Sequence, residues 1–471
     1  MKKILFAFLL FTIGLQLNAQ HPHSRTNVIF ILIDDMGWTD LGCYGSKLYK
    51  TPAIDQLASE GVMFTHAYAC HPMCVASRVG IMSGKYPARN GVPGRANFGI
   101  PLPLSEITIP EALKEKGYET FFAGKWHLGV EGAFPEDQGF DFNIAGHSKG
   151  QPDSYFYPYK SPRRPEWDVP GLEGGIEGEY LTDRLTDETI KFIKNNHSRP
   201  FFVFLSHYAV HVPLQAKPEL VEQYREIIKE INYQGPEYQP EGRASQKMRQ
   251  DNPVYAAMIE SIDQSVAKIM KTLDDLSVTN NTLIIFTSDN GGESCKIDRR
   301  SKSTSNIPLR AGKCWLYEGG IRVPLIVKGP GISNPGTVSA AQVTGVDHFP
   351  TILEMVCQPQ IPEHHLDGVS YASVLLGMDR PVRKPMFWHF PTASRFDAIV
   401  GTENGTAVRY GDFKLIEFSP SGRKELYNLK NDIEERINLY NELPRKAMEM
   451  HDLINRWKKE TKAPLPIEGE K

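Results

Sequence analysis

Several apolar runs in this chain are continuous rather than alternating: Asn27 to Ile33, Thr120 to Ala123, Phe201 to Leu205, Leu283 to Thr287 and Pro324 to Lys328. A strand with one wet face alternates apolar and polar positions. Unbroken runs predict strands buried on both faces, as in a parallel sheet covered by helices. Amphipathic segments lie between the runs. Thr51-Pro52 supplies an N-cap hydroxyl and a first-position proline for one helix, which Gly61 closes. Thr108 to Lys116, ended by Gly117, repeats that pattern. Val254, Met258, Ile262, Val266, Ile269, Leu273 and Leu276 share one helical stripe, which predicts a long core-facing helix. Strand–helix alternation predicts a doubly wound α/β domain with its ligand site at the carboxyl ends of the strands. Asp34-Asp35, Lys125, His207 or His211, and Asp289-Asn290 each directly follow a strand-like run. Residues distant in sequence are therefore expected to meet there.

From about Asp379 the texture changes. Short β-like pieces (Pro385 to His389, Thr406 to Arg409, Phe413 to Phe418, Glu425 to Asn428) precede a final helix, Leu443 to Thr461. They predict a small C-terminal α+β subdomain with an antiparallel sheet over 379–471, after an α/β domain over 20–378. Ser154 to Gly178 and Tyr233 to Asp251 are rich in Pro, Gly and charge and are expected to be surface loops. Lys2-Lys3, the apolar stretch Ile4 to Leu15, and Leu17-Asn18-Ala19 predict a secretory signal peptide over 1–19. That stretch is shorter than the ~20 residues needed to span a bilayer. The mature protein is expected to be exported, periplasmic or secreted, without a membrane anchor. With 53 basic and 56 acidic residues the net charge is −3, which argues against a general nucleic-acid binder. The 6 cysteines form no dense disulfide framework, and a Cys295–Cys314 bridge is the one pairing the sequence suggests.

The chemistry-bearing motifs are Cys74-Val75-Ala76-Ser77-Arg78 with Ser83-Gly84, and Gly124-Lys125-Trp126-His127-Leu128-Gly129. Others are Ser288-Asp289-Asn290-Gly291-Gly292, and Arg310-Ala311-Gly312-Lys313 before Leu316 to Arg322. With Asp34-Asp35, and over roughly Asn27 to Leu439, this set resembles the sulfatase family of the alkaline-phosphatase-like superfamily. The resemblance implies a mixed, mainly parallel sheet with helices on both faces, and hydrolysis of sulfate esters. It also implies that a formylglycine-generating maturation enzyme oxidises Cys74 to an aldehyde. By the same resemblance Arg78 stabilises the aldehyde hydrate, Lys125 and Lys313 bind sulfate, and His127 assists a hydrate proton. His211, just before Val212-Pro213-Leu214, is implied as general acid, with His207 the alternative. Asp34, Asp35, Asp289 and Asn290, completed by the modified Cys74, are all oxygen donors. Such hard ligands suit Ca²⁺, or alternatively Mg²⁺, over zinc.

A sulfate monoester resists cleavage because its alkoxide leaves poorly and oxygens screen its sulfur. Catalysis needs a nucleophile, cations for the sulfate oxygens and an acid for the departing oxygen. A serine nucleophile would end as an ester as sluggish as the substrate. A hydrate escapes this, because its second hydroxyl can lose a proton and expel sulfate as the aldehyde reforms. The aromatic-rich stretch Tyr155, Phe156, Tyr157, Tyr159 and Trp167 suggests a sulfated saccharide substrate. His147, Lys149, Trp388, His389 and Arg395 are its candidate binding residues. Two alternatives stand beside this: a metal-dependent phosphate or phosphonate ester hydrolase of the same superfamily, and a non-catalytic protein that binds sulfated glycans. Of the pair Asp347-His348, Asp347 is expected to be structural and His348 incidental.

Overall fold

Every residue of β1 (Asn27–Ile33) is buried. Val28, Phe30 and Leu32 enter one core cluster, and Ile29, Ile31 and Ile33 a second on the opposite face. Full burial of each such side chain contributes about 1.5–3 kcal/mol, so a doubly covered strand anchors the domain. The computed structural model describes residues 26–92, 94, 102–161, 163–297, 302–378, 385–393 and 397–466. The predicted leader (1–19), Asp379 at the predicted subdomain boundary, and Arg395 lie outside the described residues.

After β1 come α1 (Pro52–Ser59), β2 (Val62–Tyr68), α2 (Cys74–Ser83), α3 (Ile109–Lys114), β3 (Glu119–Gly124) and β4 (Phe142–Ile144). Next are α4 (Leu181–Asn196), β5 (Phe201–His207), α5 (Pro218–Glu230), β6 (Tyr238–Glu241), β7 (Ala244–Lys247) and α6 (Pro253–Asp275). The domain continues with β8 (Thr282–Ser288), β9 (Cys295–Lys296), α7 (Glu318–Ile321), β10 (Leu325–Lys328), β11 (Thr337–Thr344), α8 (His348–Met355) and α9 (Ala372–Leu375). The central sheet has 8 strands in the order β11-β2-β10-β8-β1-β5-β3-β4. Helices α1, α4, α5 and α6 cover one face and α2, α3, α8 and α9 the other.

All neighbouring pairs in this sheet are parallel except those of β10, which runs antiparallel to β2 and β8. The run Pro324 to Lys328 was expected to be parallel; continuous burial shows that both faces are covered and carries no direction. Strands β2, β4 and β11 were not expected. β2 and β11 contain half-buried or exposed positions, and β4 has 3 residues, so none makes an apolar run. Within the expected loop 233–251, β6 and β7 form a hairpin that β9 extends.

Pro52 opens α1, but Thr51 does not cap it: its hydroxyl donates to Asp55 Oδ1 (3.0 Å) and accepts from Gly42 N (2.8 Å). Thr108 and Glu111 close a reciprocal capping box on α3. The C-terminal part holds β12 (Met386–Phe390), α10 (Asp397–Val400), β13 (Asn404–Tyr410), β14 (Phe413–Ser419), β15 (Lys424–Asn428) and α11 (Pro444–Thr461). Its strands form an antiparallel sheet in chain order. Trp388, Phe390 and Ile416 join Tyr68, Met73 and Tyr317 in a third cluster between the two parts. Beside it, buried Lys414 bridges Glu318 Oε1 (3.0 Å) and Glu435 Oε1 (2.9 Å).

Candidate active site

Sheet register brings the strand ends level. Ile33 lies opposite Ser288 of β8 and His207 of β5, and Gly124 of β3 opposite Ser206. Asp34, Asp35, Lys125, Asp289 and Asn290 therefore emerge side by side, with exposures of 0–5 %. Gly124 makes the turn to Lys125 possible: its φ is +103°, and a Cβ there would lie 1.9 Å from the Ser206 carbonyl. Asp35 and His127 sit at φ +63° and +60° without that freedom, strain that packing must hold.

Cys74 is the first residue of α2, after Met73 as N-cap, and its Sγ lies 3.6 Å from His127 Nδ1. Arg78, one turn on, donates from Nε to Asp289 Oδ2 (2.8 Å) and from Nη1 to the Lys125 carbonyl (2.7 Å) and Ser206 Oγ (2.6 Å). Lys125 Nζ donates to Asp34 Oδ2 (2.5 Å) and Lys313 Nζ to Asp35 Oδ2 (2.6 Å). His211 Nε2 lies 3.5 Å from the same Asp35 oxygen. Asn290 Nδ2 donates to Asp35 Oδ1 (2.8 Å), and the Asp35 N–H to Asp289 Oδ1 (3.2 Å). The structure thus brings together all the residues expected to form the metal site, the sulfate site and the acid–base pair.

Burial dominates the electrostatics. It raises Asp34, with Lys125 opposing, and together with the charge of Asp34 it pushes Asp289 up to about 6. It would raise Asp35 too, but Lys313 and His211 outweigh it and hold that carboxylate well below its usual range. Burial and then Lys125 keep His127 far below its ordinary value, and burial with Lys313 pushes His211 down to about 4. Burial raises the Cys74 thiol, with Lys125 and Lys313 opposing. Two oxygens are left over: Asp34 Oδ1 and Asn290 Oδ1 are buried without a hydrogen-bond partner among the described residues. Oxygens of Asp34, Asp35 and Asp289 lie within 4.8 Å of one another. Unsatisfied buried oxygens in an all-oxygen set fit a hard divalent cation.

Other expectations separate here. His207 is fully buried, with Nε2 3.1 Å from Ser265 Oγ on α6. The two-residue alternation of β5 places it with Val203 and Leu205, away from the site. His147 lies beside the site: its carbonyl accepts the His127 N–H at 3.1 Å. Lys149 is half-buried, with its ammonium 5.7 Å from the Trp167 ring centroid. Trp388 and His389 do not reach a rim. Trp388 is 1 % exposed and donates Nε1–H to the Ala69 carbonyl (2.8 Å). His389 is buried between Thr406 Oγ1 (2.8 Å) and the Pro464 carbonyl (2.7 Å). Both faces of β12 are covered, so neither side chain can meet a sugar. Tyr155 and Tyr159 are fully buried packing residues.

Cys295 and Cys314 do not pair; all described cysteines are free. Cys314 Sγ faces Met73 Sδ at 3.1 Å, while Cys295 lies on β9 beside Ser294. Asp347 accepts the Thr344 and Val369 N–H groups (both 2.8 Å), a structural role as expected. Sequence reasoning missed three supports. Ser206 holds Arg78, and its only signal is a hydroxyl at the end of an apolar run. Tyr155 OH donates to the Tyr208 and His211 carbonyls (both 2.8 Å), fixing the loop that carries His211. His71 Nδ1 accepts the Met73 N–H (3.1 Å) at the turn into Cys74.

Residues 26–357 match the family model named Sulfatase, and residues 311–462 match N-sulphoglucosamine sulphohydrolase, C-terminal. A sulfatase of Formosa agariphila is 31 % identical, with 94 % of this chain and 91 % of that protein covered. Human N-acetylgalactosamine-6-sulfatase is 33 % identical over 76 % of this chain and 67 % of its own length. The crystal structure of Ps i-CgsB superposes with a TM-score of 0.76 at 28 % identity, covering 92 % of this chain and 93 % of that one. Fold, site and matches together define a sulfuric ester hydrolase of alkaline-phosphatase-like architecture. The chain belongs to the sulfatase family.

Proposed function

We propose that this chain is an exported sulfatase that removes O-sulfate groups from carbohydrates, using a formylglycine made from Cys74 and a divalent cation. One observation carries the proposal. Position 74 opens a helix onto a buried site where two lysines, two histidines and an oxygen-only acid cluster converge. The carbohydrate preference is supported by relatives: one is named for N-acetylgalactosamine-6-sulfate, and Ps i-CgsB has been solved with k-i-k-neocarrahexaose.

A buried thiol pushed upward is mostly unionised at neutral pH and a weak nucleophile. The modified residue, as its hydrate, supplies one hydroxyl for attack on sulfur and a second whose deprotonation lets sulfate leave. With Sγ standing in for those oxygens, its 3.6 Å approach to His127 Nδ1 supports a role for His127 in taking the second proton. Lys125 and Lys313 hold their ammonium groups at the mouth of the acid cluster, where they can turn from carboxylate to sulfate oxygens. His211 Nε2 faces the same point and donates the proton to the departing alkoxide. In the ligand-free site burial, and then Lys313, disfavour His211 protonation; an anionic sulfate would offset the Lys313 charge and leave the burial cost in place. Arg78 fixes Asp289 and the Lys125 backbone together. Asp34, Asp35, Asp289 and Asn290 are the residues that would hold the cation, with Ca²⁺ or Mg²⁺ the ions that suit them. Bound there, the ion would act as a Lewis acid toward the sulfate oxygens.

The test is sulfate release from sulfated saccharides by protein co-expressed with a maturation enzyme, before and after a chelator. Release that chelation abolishes and added Ca²⁺ or Mg²⁺ restores is the expected result. Turnover of phosphate or phosphonate esters with no sulfate release would overturn it.

A further inference from the structure

Beside the catalytic cluster, the segment from Ala145 to Gly150 presents polar groups that the reaction above does not use. It is seated on His127. Besides the contact of His127 N–H with the His147 carbonyl, Gly150 passes so close that a Cβ there would lie 2.3 Å from His127 Cε1. Lys149 is therefore one residue from van der Waals contact with a histidine that itself lies 3.6 Å from Cys74 Sγ. The other site lysines each face a carboxylate, Lys125 that of Asp34 and Lys313 that of Asp35. Lys149 has none within ion-pair distance among the described residues; its ammonium is oriented by Trp167 instead. The same ring holds the Arg164 guanidinium at 4.7 Å, and that cation already has Asp153 as partner.

His147 adds a second unsatisfied group. It is 8 % exposed, its Nε2 has no hydrogen-bond partner among the described residues, and burial followed by the charge of Lys149 pushes it down to about 4. A half-buried ammonium held against an aromatic face, without a counter-charge, is an incomplete ion pair. What completes it is an anion that arrives with the substrate. A metal-binding role does not explain it, because a lysine ammonium offers only donors.

We propose that Lys149, held over Trp167 and flanked by His147, forms a subsite for a second oxyanion on the saccharide whose sulfate ester is cleaved. That oxyanion is a further sulfate or a carboxylate, so the substrate is a doubly anionic saccharide unit or pair. This rests on the carbohydrate-sulfatase function proposed above and adds to it a specificity determinant.

The experiment compares kcat/KM of the matured enzyme on three matched disaccharides. The first carries the scissile sulfate alone, the second adds another sulfate, and the third adds a uronic carboxylate. The wild type is expected to favour one doubly charged substrate by about two- to fivefold, the worth of a partly exposed charge pair, mainly through KM. Whichever arm shows the preference identifies the oxyanion. Lys149→Met, which keeps the apolar stem on Trp167, should reduce that ratio to near one, and Lys149→Arg should keep most of it. A wild-type ratio near one for both arms overturns the subsite, as does a preference that Lys149→Met leaves intact. If none of the three disaccharides releases sulfate, the carbohydrate-sulfatase function itself fails, a separate outcome.

Discussion

His211 and His207 show how a single residue's role follows from the direction it faces. They lie four positions apart, yet one points at Asp35 and the other into the α6 packing. Replacing His211 with Gln should slow hydrolysis of a saccharide sulfate by about 10²–10⁴, the usual worth of a general acid. An aryl sulfate with a good leaving group should suffer far less, because its oxygen needs no proton. His207→Gln should lower stability with no such split between substrates. Steady-state kinetics on both substrates check this; an equal loss for His211→Gln on each would remove it as the acid. The motif residues were legible at this scale because the family pattern fixes them one by one. Trp388 and His389 were not: two polar-tipped aromatics on a short strand look the same whether that strand faces solvent or, as here, both its faces are covered. Ser206 and Tyr155 act through partners 128 and 56 positions away, respectively, and no local pattern announces such contacts.

Elements were legible where their burial is uniform. β1, β5 and β8 are buried throughout, and each formed around the continuous apolar run that predicted it. The direction of β10 was not legible, since a strand sandwiched between two layers reads the same either way. Strands β2 and β11 escaped because their half-wet positions break the run. The Lys414 bridge, at the seam between the two parts, also joins elements far apart in sequence. Burial pushes Glu435 up to about 7, with Lys414 opposing. Lys414→Met should cost about 3–5 kcal/mol, the range for breaking a buried ion pair, toward the lower end because Glu435 can take a proton. Adding Glu435→Gln should recover part of that loss. Urea unfolding measures both; a Lys414→Met change below about 1 kcal/mol would show that the bridge does not hold the seam.

Across the whole molecule, buried histidines tie stability to pH. Burial pushes His71, His207 and His348 each down to about 3, from 6.5 in an unfolded chain. Between those values the unfolded state binds protons that the folded state refuses. The contribution of these three groups is therefore fully present above 6.5 and is lost as pH falls toward 3, by about 1.4 kcal/mol per pH unit for each. Thermal unfolding at stepped pH gives the net slope below 6.5, to which the raised acids Asp289 and Glu435 contribute with the opposite sign. His348→Gln should make that slope shallower by one proton, and an unchanged slope would rule out this source. The α/β architecture with its C-terminal antiparallel sheet was legible from alternation and from the change in texture near Asp379. The burial of Trp388 and His389 was not, because that depends on how two layers dock.

The proposed chemistry depends first on position 74 working as an oxidised residue and not as a cysteine. Its most direct test is mass spectrometry of the peptide containing Cys74, taken from protein that is releasing sulfate. An aldehyde, or its hydrate, should stand in place of the thiol, in a fraction that tracks specific activity across preparations. Fully active protein that carries only an unmodified thiol at this position would contradict it.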